Sequence, residues 1–188
     1  MRKITQYTSL DFIWKDVWNT LASSSARHPF HQVVLATHTA KAPGLRTVIF
    51  RGLDEQKRLK VFTDYRSSKV LELKKYPEAS LLFYDPEVRI QLKINVQVQI
   101  HYDDQVSQQY WKQVQQGRGW KDYSSVASPG MILQDPTYAY EWSQEEQQFC
   151  VLLMRATEVE VLQLRKQGHL RAKFERGEEQ WKQCWIAP

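Results

Sequence analysis

Arg46, Ser67, Ser68 and Lys69 are the residues of this chain best suited to hold a charged ligand. Two cations, two hydroxyls and the open N–H groups at a helix start make a donor set for a phosphate. Arg46 stands in the run Leu-Arg-Thr-Val-Ile-Phe-Arg at 45–51, and a polar turn separates it from Val-Phe-Thr-Asp-Tyr-Arg-Ser-Ser-Lys at 61–69. Two strands joined by that turn would bring Arg46 near 67–69. The apolar middle of the first strand offers a flat surface beside the phosphate. A ligand with a phosphate tail and a flat ring would use both, and flavin mononucleotide (FMN) is one. The plainer competing reading makes Arg46 and Lys69 surface charges and Ser67 or Ser68 a helix cap.

Other routes to chemistry are missing. The chain has no Gly-rich loop of the Rossmann or P-loop type. Its five histidines, His28, His31, His38, His101 and His169, lack metal-ligand spacing, so no metal site is expected. No serine stands in a nucleophile elbow. An enzyme of this composition would take its chemistry from a cofactor. The formal charge of +5 is spread along the chain without a basic run, which suits a solvated surface, a phosphorylated small molecule or a nucleic acid. Seven Trp and nine Tyr suit a large core, an oligomer interface or a ring-binding pocket. Cys150 and Cys184 fall in apolar strand-like segments and read as buried free thiols in a reducing compartment. No segment is apolar over the length of a bilayer and the N-terminus lacks a signal-like run, so a cytoplasmic protein without a membrane partner is expected.

The elements that must position these residues follow from periodicity. Leu10, Ile13, Trp14, Val17, Trp18 and Leu21 keep helical spacing, with Thr8 or Ser9 as cap, and predict a helix over 9–24. Strands are expected at 31–37, 45–51, 59–63 and 79–84, and a helix from 67 or 68 to Tyr76-Pro77, where proline opposes its continuation. Val88, Ile90, Leu92, Ile94, Val96, Val98 and Ile100 alternate with polar residues, which predicts one long strand with a buried and a wet face. Asp103 or Asp104 caps a helix through Val114 that Gly117 ends. The stretch 119–136 is irregular. Strands at 149–155, 159–164, 170–174 and 181–186 complete the chain. Eight or nine strands joined mostly by short turns predict a mainly β fold with helices, an antiparallel barrel, in a single domain over 1–188 whose barrel occupies about 31–188.

In order and wording these segments resemble the pyridoxamine 5′-phosphate oxidase-like proteins, whose fold is the FMN-binding split β-barrel. The matching stretches are Val33 to Thr37; Arg46, Val48 and Arg51; Phe62-Thr63-Asp64-Tyr65-Arg66-Ser67-Ser68-Lys69; Leu73 to Tyr84; Ile90-Gln91-Leu92-Lys93-Ile94; and the closing Trp181 to Pro188. The resemblance implies a homodimer with FMN at its interface. Arg46 and Lys69 would grip the FMN phosphate, and Ser67 and Ser68 would add donors. The backbone of Thr47, Val48 and Ile49 would run along the flavin ring, with Phe62 and Thr63 lining the adjacent strand. Gln91 would reach the flavin from the neighbouring subunit, Lys173 would stand in a late cofactor-binding position, and Arg51 would lie near ring and substrate.

On the substrate side the chain departs from the oxidases. Arg51 and Tyr110 match two of their substrate-phosphate ligands. An expected Arg is Val114, an expected Ser near 117–120 has no match, an expected flavin-side Trp is Leu162, and the late Arg-x-His-x-Arg reads His169-Leu170-Arg171-Ala172-Lys173. The resemblance therefore implies an FMN-dependent oxidoreductase passing electrons between an organic substrate and flavin N5. Three alternatives stay open at this point: a pyridoxamine or pyridoxine 5′-phosphate oxidase, a flavin- or haem-holding module without turnover, and a single-stranded nucleic-acid-binding barrel. The plainer local readings are that Tyr110 and Trp111 only pack a helix and that Arg51 pairs with Asp54.

Overall fold

The computed structural model describes residues 9–117, 119–137, 141–143 and 147–188. Helix α1 (Leu10–Ser23) is capped by Ser9, whose hydroxyl accepts from the Phe12 N–H. Thr8, the other candidate cap, lies outside the described residues. Ile13, Val17 and Leu21 recur every four residues and form the buried stripe of α1. A 3-10 turn at Pro29–His31 then leads into β1 (Gln32–Thr37).

Strands β2 (Gly44–Leu53) and β3 (Leu59–Asp64) follow, then α2 (Ser68–Lys75), β4 (Glu78–Asp85), β5 (Ile90–Tyr102) and α3 (Gln105–Gln115). After a 3-10 helix at Gly119–Tyr123, the chain ends in β6 (Phe149–Gln163), β7 (Leu170–Arg176) and β8 (Trp181–Ile186). The strands run in the order β3-β2-β1-β4-β5-β6-β7-β8, and β3 also pairs with β6. That extra pairing closes β3, β2, β1, β4, β5 and β6 into a six-stranded antiparallel barrel. The mainly β architecture read from the sequence is thus the observed one.

Strand β6 does two jobs. Its first half, Phe149 to Met154, pairs with β3 and shuts the barrel. Its second half, Glu158 to Gln163, pairs with β7 and carries the last two strands outward. Between them Thr157 is an extra residue, because Asn95 faces Glu158 while Val96 faces Ala156. This bulge shifts the inward–outward alternation by one residue. The sequence therefore reads as two strands at 149–155 and 159–164, where the structure has one. The long alternation from Val88 is realised in β5, with Ile90, Leu92, Ile94, Val96 and Val98 buried. Each such side chain contributes roughly 1.5–3 kcal/mol on burial.

Asp104 rather than Asp103 caps α3, in a reciprocal box with Ser107. Cys150 is buried, and burial pushes its thiol up to about 12. Cys184 corrects the sequence reading: it is exposed. Its neighbours Trp181, Trp185 and Ile186 are apolar, but β8 is the sheet's edge, and none of its residues is fully buried. Both cysteines are free. No described helix is long and apolar enough to cross a membrane.

Candidate functional site

The β3–α2 junction collects the charged residues picked out in the sequence. The β1–β2 hairpin brings Thr37 opposite Gly44 and Leu35 opposite Arg46. Arg46 Nη2 lies 2.8 Å from Glu72 Oε2 on α2, and Nη1 donates to the Gly44 carbonyl at 3.1 Å and to the Thr37 hydroxyl. Thr37 in turn donates to the same Glu72 oxygen. The result is a closed ring: guanidinium, hydroxyl, carboxylate, guanidinium. Gly44 makes room for it. A Cβ there would lie 2.7 Å from Arg46 Nη2, 2.8 Å from Thr37 Oγ1 and 2.9 Å from Glu72 Oε2.

Lys69 enters from the first turn of α2 and donates to Thr63 Oγ1 at 2.9 Å. Thr63 Oγ1 also sits 3.3 Å from Ser67 Oγ, and both residues are buried. Ser67 occupies the cap position of α2, yet its side chain caps no N–H. The hydroxyl is turned toward Thr63 instead, which corrects the simple capping reading. Burial lowers the Lys69 pKa, and the nearby Arg46 charge lowers it further, against the opposing pull of Asp64, Cys150 and Glu72. Burial alone would raise the Glu72 pKa, but its bonds from Thr37 and Arg46 and the two cationic charges hold it below the usual carboxylate range. Two cations thus converge here with one carboxylate beside them. Neither Arg46 Nε nor the remaining Lys69 protons have a protein acceptor among the described residues, so the cluster can still accept an anion.

The turn that leads into α2 is also anchored. Asp64 accepts from Arg66 Nε at 3.1 Å and Nη2 at 2.7 Å, and from the Arg66 N–H at 2.8 Å. Arg66 reaches on to the carbonyls of Ser125 and Val126. The irregular stretch after α3 is therefore tied to the turn that leads into α2.

Beside this cradle lies an aromatic wall. Phe62 packs on Tyr110 at 5.5 Å and on Phe149 at 5.0 Å between ring centres. Trp111, Tyr123 and Phe149 are buried together with Val151 and Leu153, and Val114 and Trp120 pack against them. Arg51 sits 5.7 Å from the Phe62 ring centre and close enough to Tyr123 for its charge to oppose the rise that burial gives that hydroxyl's pKa. The expected Arg51–Asp54 pair does not form, because Asp54 is bound by Arg58 at 2.7 Å. Trp111, Gln115, Trp120 and Ser124 line a cleft at the end of this wall.

The other sequence candidates fall as follows. Thr47 and Ile49 face outward on β2 and Val48 faces the core. Ser68 opens α2. Gln91 lies on β5 opposite Tyr84 and Leu162. Lys173 lies on β7 in ion pairs with Glu158 at 3.2 Å and with Glu175, partners that raise its pKa to about 12. Among the described residues no hydrogen bond or ion pair joins Gln91 or Lys173 to the Arg46–Lys69 cluster. Sequence reasoning missed Thr37, Gly44 and Glu72. Glu72 was findable, since it follows Lys69 by three residues and so shares its helix face.

Residues 12–102 match the family model described as pyridoxamine 5′-phosphate oxidase, FMN-binding domain. A pyridoxine/pyridoxamine 5′-phosphate oxidase of Burkholderia thailandensis is 36% identical over 89 residues, which are 47% of this chain and 41% of that protein. The match thus spans less than half of that relative's length. A pyridoxamine 5′-phosphate oxidase-related, FMN binding protein from Nostoc punctiforme superposes with a TM-score of 0.72 at 23% identity, over 97% of this chain and 100% of that one. PhzG from Burkholderia lata, solved in complex with tetrahydrophenazine-1-carboxylic acid, gives 0.73 at 20% identity, over 96% of this chain and 94% of that one. At these identities the two structures establish the shared fold.

Proposed function

We propose that this chain, which belongs to the pyridoxamine 5′-phosphate oxidase-like family, binds FMN and acts as an oxidoreductase on a small organic substrate. The observation that carries the reading is the convergence of Arg46 and Lys69 at the start of α2. The residues fit the group: two cations and the first N–H groups of a helix match a phosphate monoester. The cluster also keeps donors that have no acceptor among the described residues. Bound FMN would supply electron transfer at its N5 position.

The chain's own residues would divide the work. Arg46 and Lys69 would bind the phosphate, with Ser67 and Ser68 contributing N–H groups or hydroxyls. Thr63 would hold the Lys69 ammonium in place. The β2 backbone at Thr47, Val48 and Ile49 would flank the ring, and Phe62 and Thr63 would line the adjacent strand. Arg51 would place positive charge near the ring, beside the Phe62 face and the Tyr123 hydroxyl. Gln91 and Lys173 would act across a two-fold contact, in a homodimer, and the protein would work in the cytoplasm.

Pyridoxamine 5′-phosphate is the less favoured substrate. Where the resemblance expects a phosphate-holding Arg, Val114 packs into the aromatic wall. A valine offers that phosphate neither charge nor donor. The test is an absorption spectrum of freshly purified protein together with an FMN titration. Flavin bands, or quenching of FMN fluorescence on binding, are expected. Absence of both rejects the reading. Oxygen uptake with pyridoxamine 5′-phosphate would move the substrate to that compound.

A further inference from the structure

We infer that Glu72 is a positioning residue for cofactor binding: acting with Thr37, it holds the Arg46 guanidinium in a phosphate-ready orientation. The inference rests on the FMN reading above and assigns a role to a residue that the sequence motifs did not include.

Glu72 Oε2 accepts from both Arg46 Nη2 and the Thr37 hydroxyl. Thr37 accepts from Arg46 Nη1, and the Gly44 carbonyl takes a further Nη1 bond. Both terminal nitrogens of the guanidinium are therefore fixed from one side. A free arginine must lose the rotamer freedom of a long side chain when it grips a ligand, and this one has already lost it. The side that carries Nε has no protein acceptor among the described residues, and Lys69 is close enough for the two positive charges to repel each other. Glu72 offsets that repulsion and favours the protonated ammonium of Lys69.

A carboxylate beside a phosphate also repels it, so the sign of the effect has to be decided. The Glu72 oxygen that faces the cluster is engaged by a hydroxyl and a guanidinium, which spend its charge locally. Removing it would free Arg46 to swing and would leave two unscreened cations, the weaker one prone to lose its proton. Orientation therefore outweighs repulsion, and loss of Glu72 weakens phosphate binding. Gly44 belongs to the same device, because any side chain there would collide with the atoms of the ring.

The test compares FMN with riboflavin, which has the same ring and no phosphate, by fluorescence titration of the full chain. Arg46→Ala should lower FMN affinity tenfold or more and leave riboflavin within about twofold. Glu72→Ala should lower FMN affinity about tenfold with riboflavin unchanged, and Thr37→Val should give a smaller loss of the same kind. Glu72→Gln keeps an oxygen acceptor, so it should recover part of the loss. Because it lacks the charge, it should move the alkaline limb of FMN binding to lower pH. A general structural defect would weaken both ligands alike. If Arg46→Ala acts on FMN alone while Glu72→Ala and Thr37→Val bind FMN as well as or better than the parent, the positioning role is wrong and the FMN reading survives. If Arg46→Ala leaves the FMN-to-riboflavin ratio untouched, the cradle itself is wrong and the role of Glu72 goes with it. Should Glu72→Ala not fold, Glu72→Gln and Thr37→Val decide by the same ratio.

Discussion

Strand β3 faces two different worlds. Its residue Thr63 meets Lys69 and Ser67 in the proposed phosphate cradle, while its neighbour Phe62 meets Tyr110 and Phe149 in the aromatic wall. The pleat alone sends consecutive side chains to opposite sides. The two sides are held by different forces. The cradle is a chain of directed bonds in which each partner has one suitable replacement or none. The wall is a packed set of rings, where volume decides and chemical identity matters less. Substitutions on the first side should therefore change ligand affinity more than stability, and those on the second should do the reverse.

The largest separation is expected from Trp111→Ala. Trp111 is 9% exposed and sits against Phe149 at 5.2 Å. Truncating a buried Trp costs about 3–5 kcal/mol. A denaturant melt should register that loss while the FMN-to-riboflavin affinity ratio of the folded fraction stays constant. A changed ratio would mean that the wall reaches into the cradle, and the contrast would fall. Arg46→Ala is the reciprocal case. The loss should be about 1.5–3 kcal/mol of FMN binding, the size of a charge-assisted contact, with an unfolding midpoint close to that of the parent.

How much of this contrast was legible beforehand differs between the two sides for a physical reason. Arg46, Ser67 and Lys69 could be read because the helix start and the strand carry local signals, and their meeting needs only one hairpin and one turn. Thr37 and Gly44 could not, since they join the cluster through the β1–β2 register and a missing Cβ. The β5 alternation was plain because one face is buried over its whole length. The β6 bulge was not, because an extra residue at Thr157 looks like a strand end. Helix α3 was readable from its cap and spacing. The 3-10 helix at Gly119–Tyr123 was not, because its only buried side chain is Tyr123 and no period can be drawn from one residue.

A smaller effect should come from Gly44→Ala. The added methyl would lie 2.7, 2.8 and 2.9 Å from Arg46 Nη2, Thr37 Oγ1 and Glu72 Oε2, too close for all three to stay in place, so the side chains of the ring must shift. The fold should survive, and the guanidinium ring should open. FMN affinity is expected to fall by about 1 kcal/mol, the net value of an ordinary hydrogen bond, with riboflavin unaffected. Unchanged FMN binding would show that Arg46 reaches the phosphate without its ring of partners.

The finest probe is pH, because the two sides of β3 should answer it with opposite signs. Burial and the Arg46 charge lower the folded pKa of Lys69 from the ordinary lysine value of 10.5. Between that lowered value and 10.5 the unfolded chain holds the extra proton, so rising pH stabilises the cofactor-free fold on the cradle side. FMN affinity should fall over the same window, since the phosphate loses a cation. On the wall side, burial raises the pKa of Tyr123 despite the Arg51 charge, and burial likewise raises that of Tyr110. Their unfolded forms ionise first, so the stability they contribute is complete below the ordinary tyrosine pKa and is lost as pH rises through it. Cys150, whose thiol is pushed up to about 12 by burial, makes the fold lose stability over the same alkaline range, and Lys60, whose pKa burial also lowers, adds to the gain, so the part due to Lys69 is read as a difference. The denaturant midpoint of Lys69→Met relative to the parent should fall steadily between the lowered Lys69 pKa and 10.5, and Tyr123→Phe should blunt the later loss. If that difference stays flat with pH, Lys69 is not the strained cation of the cradle.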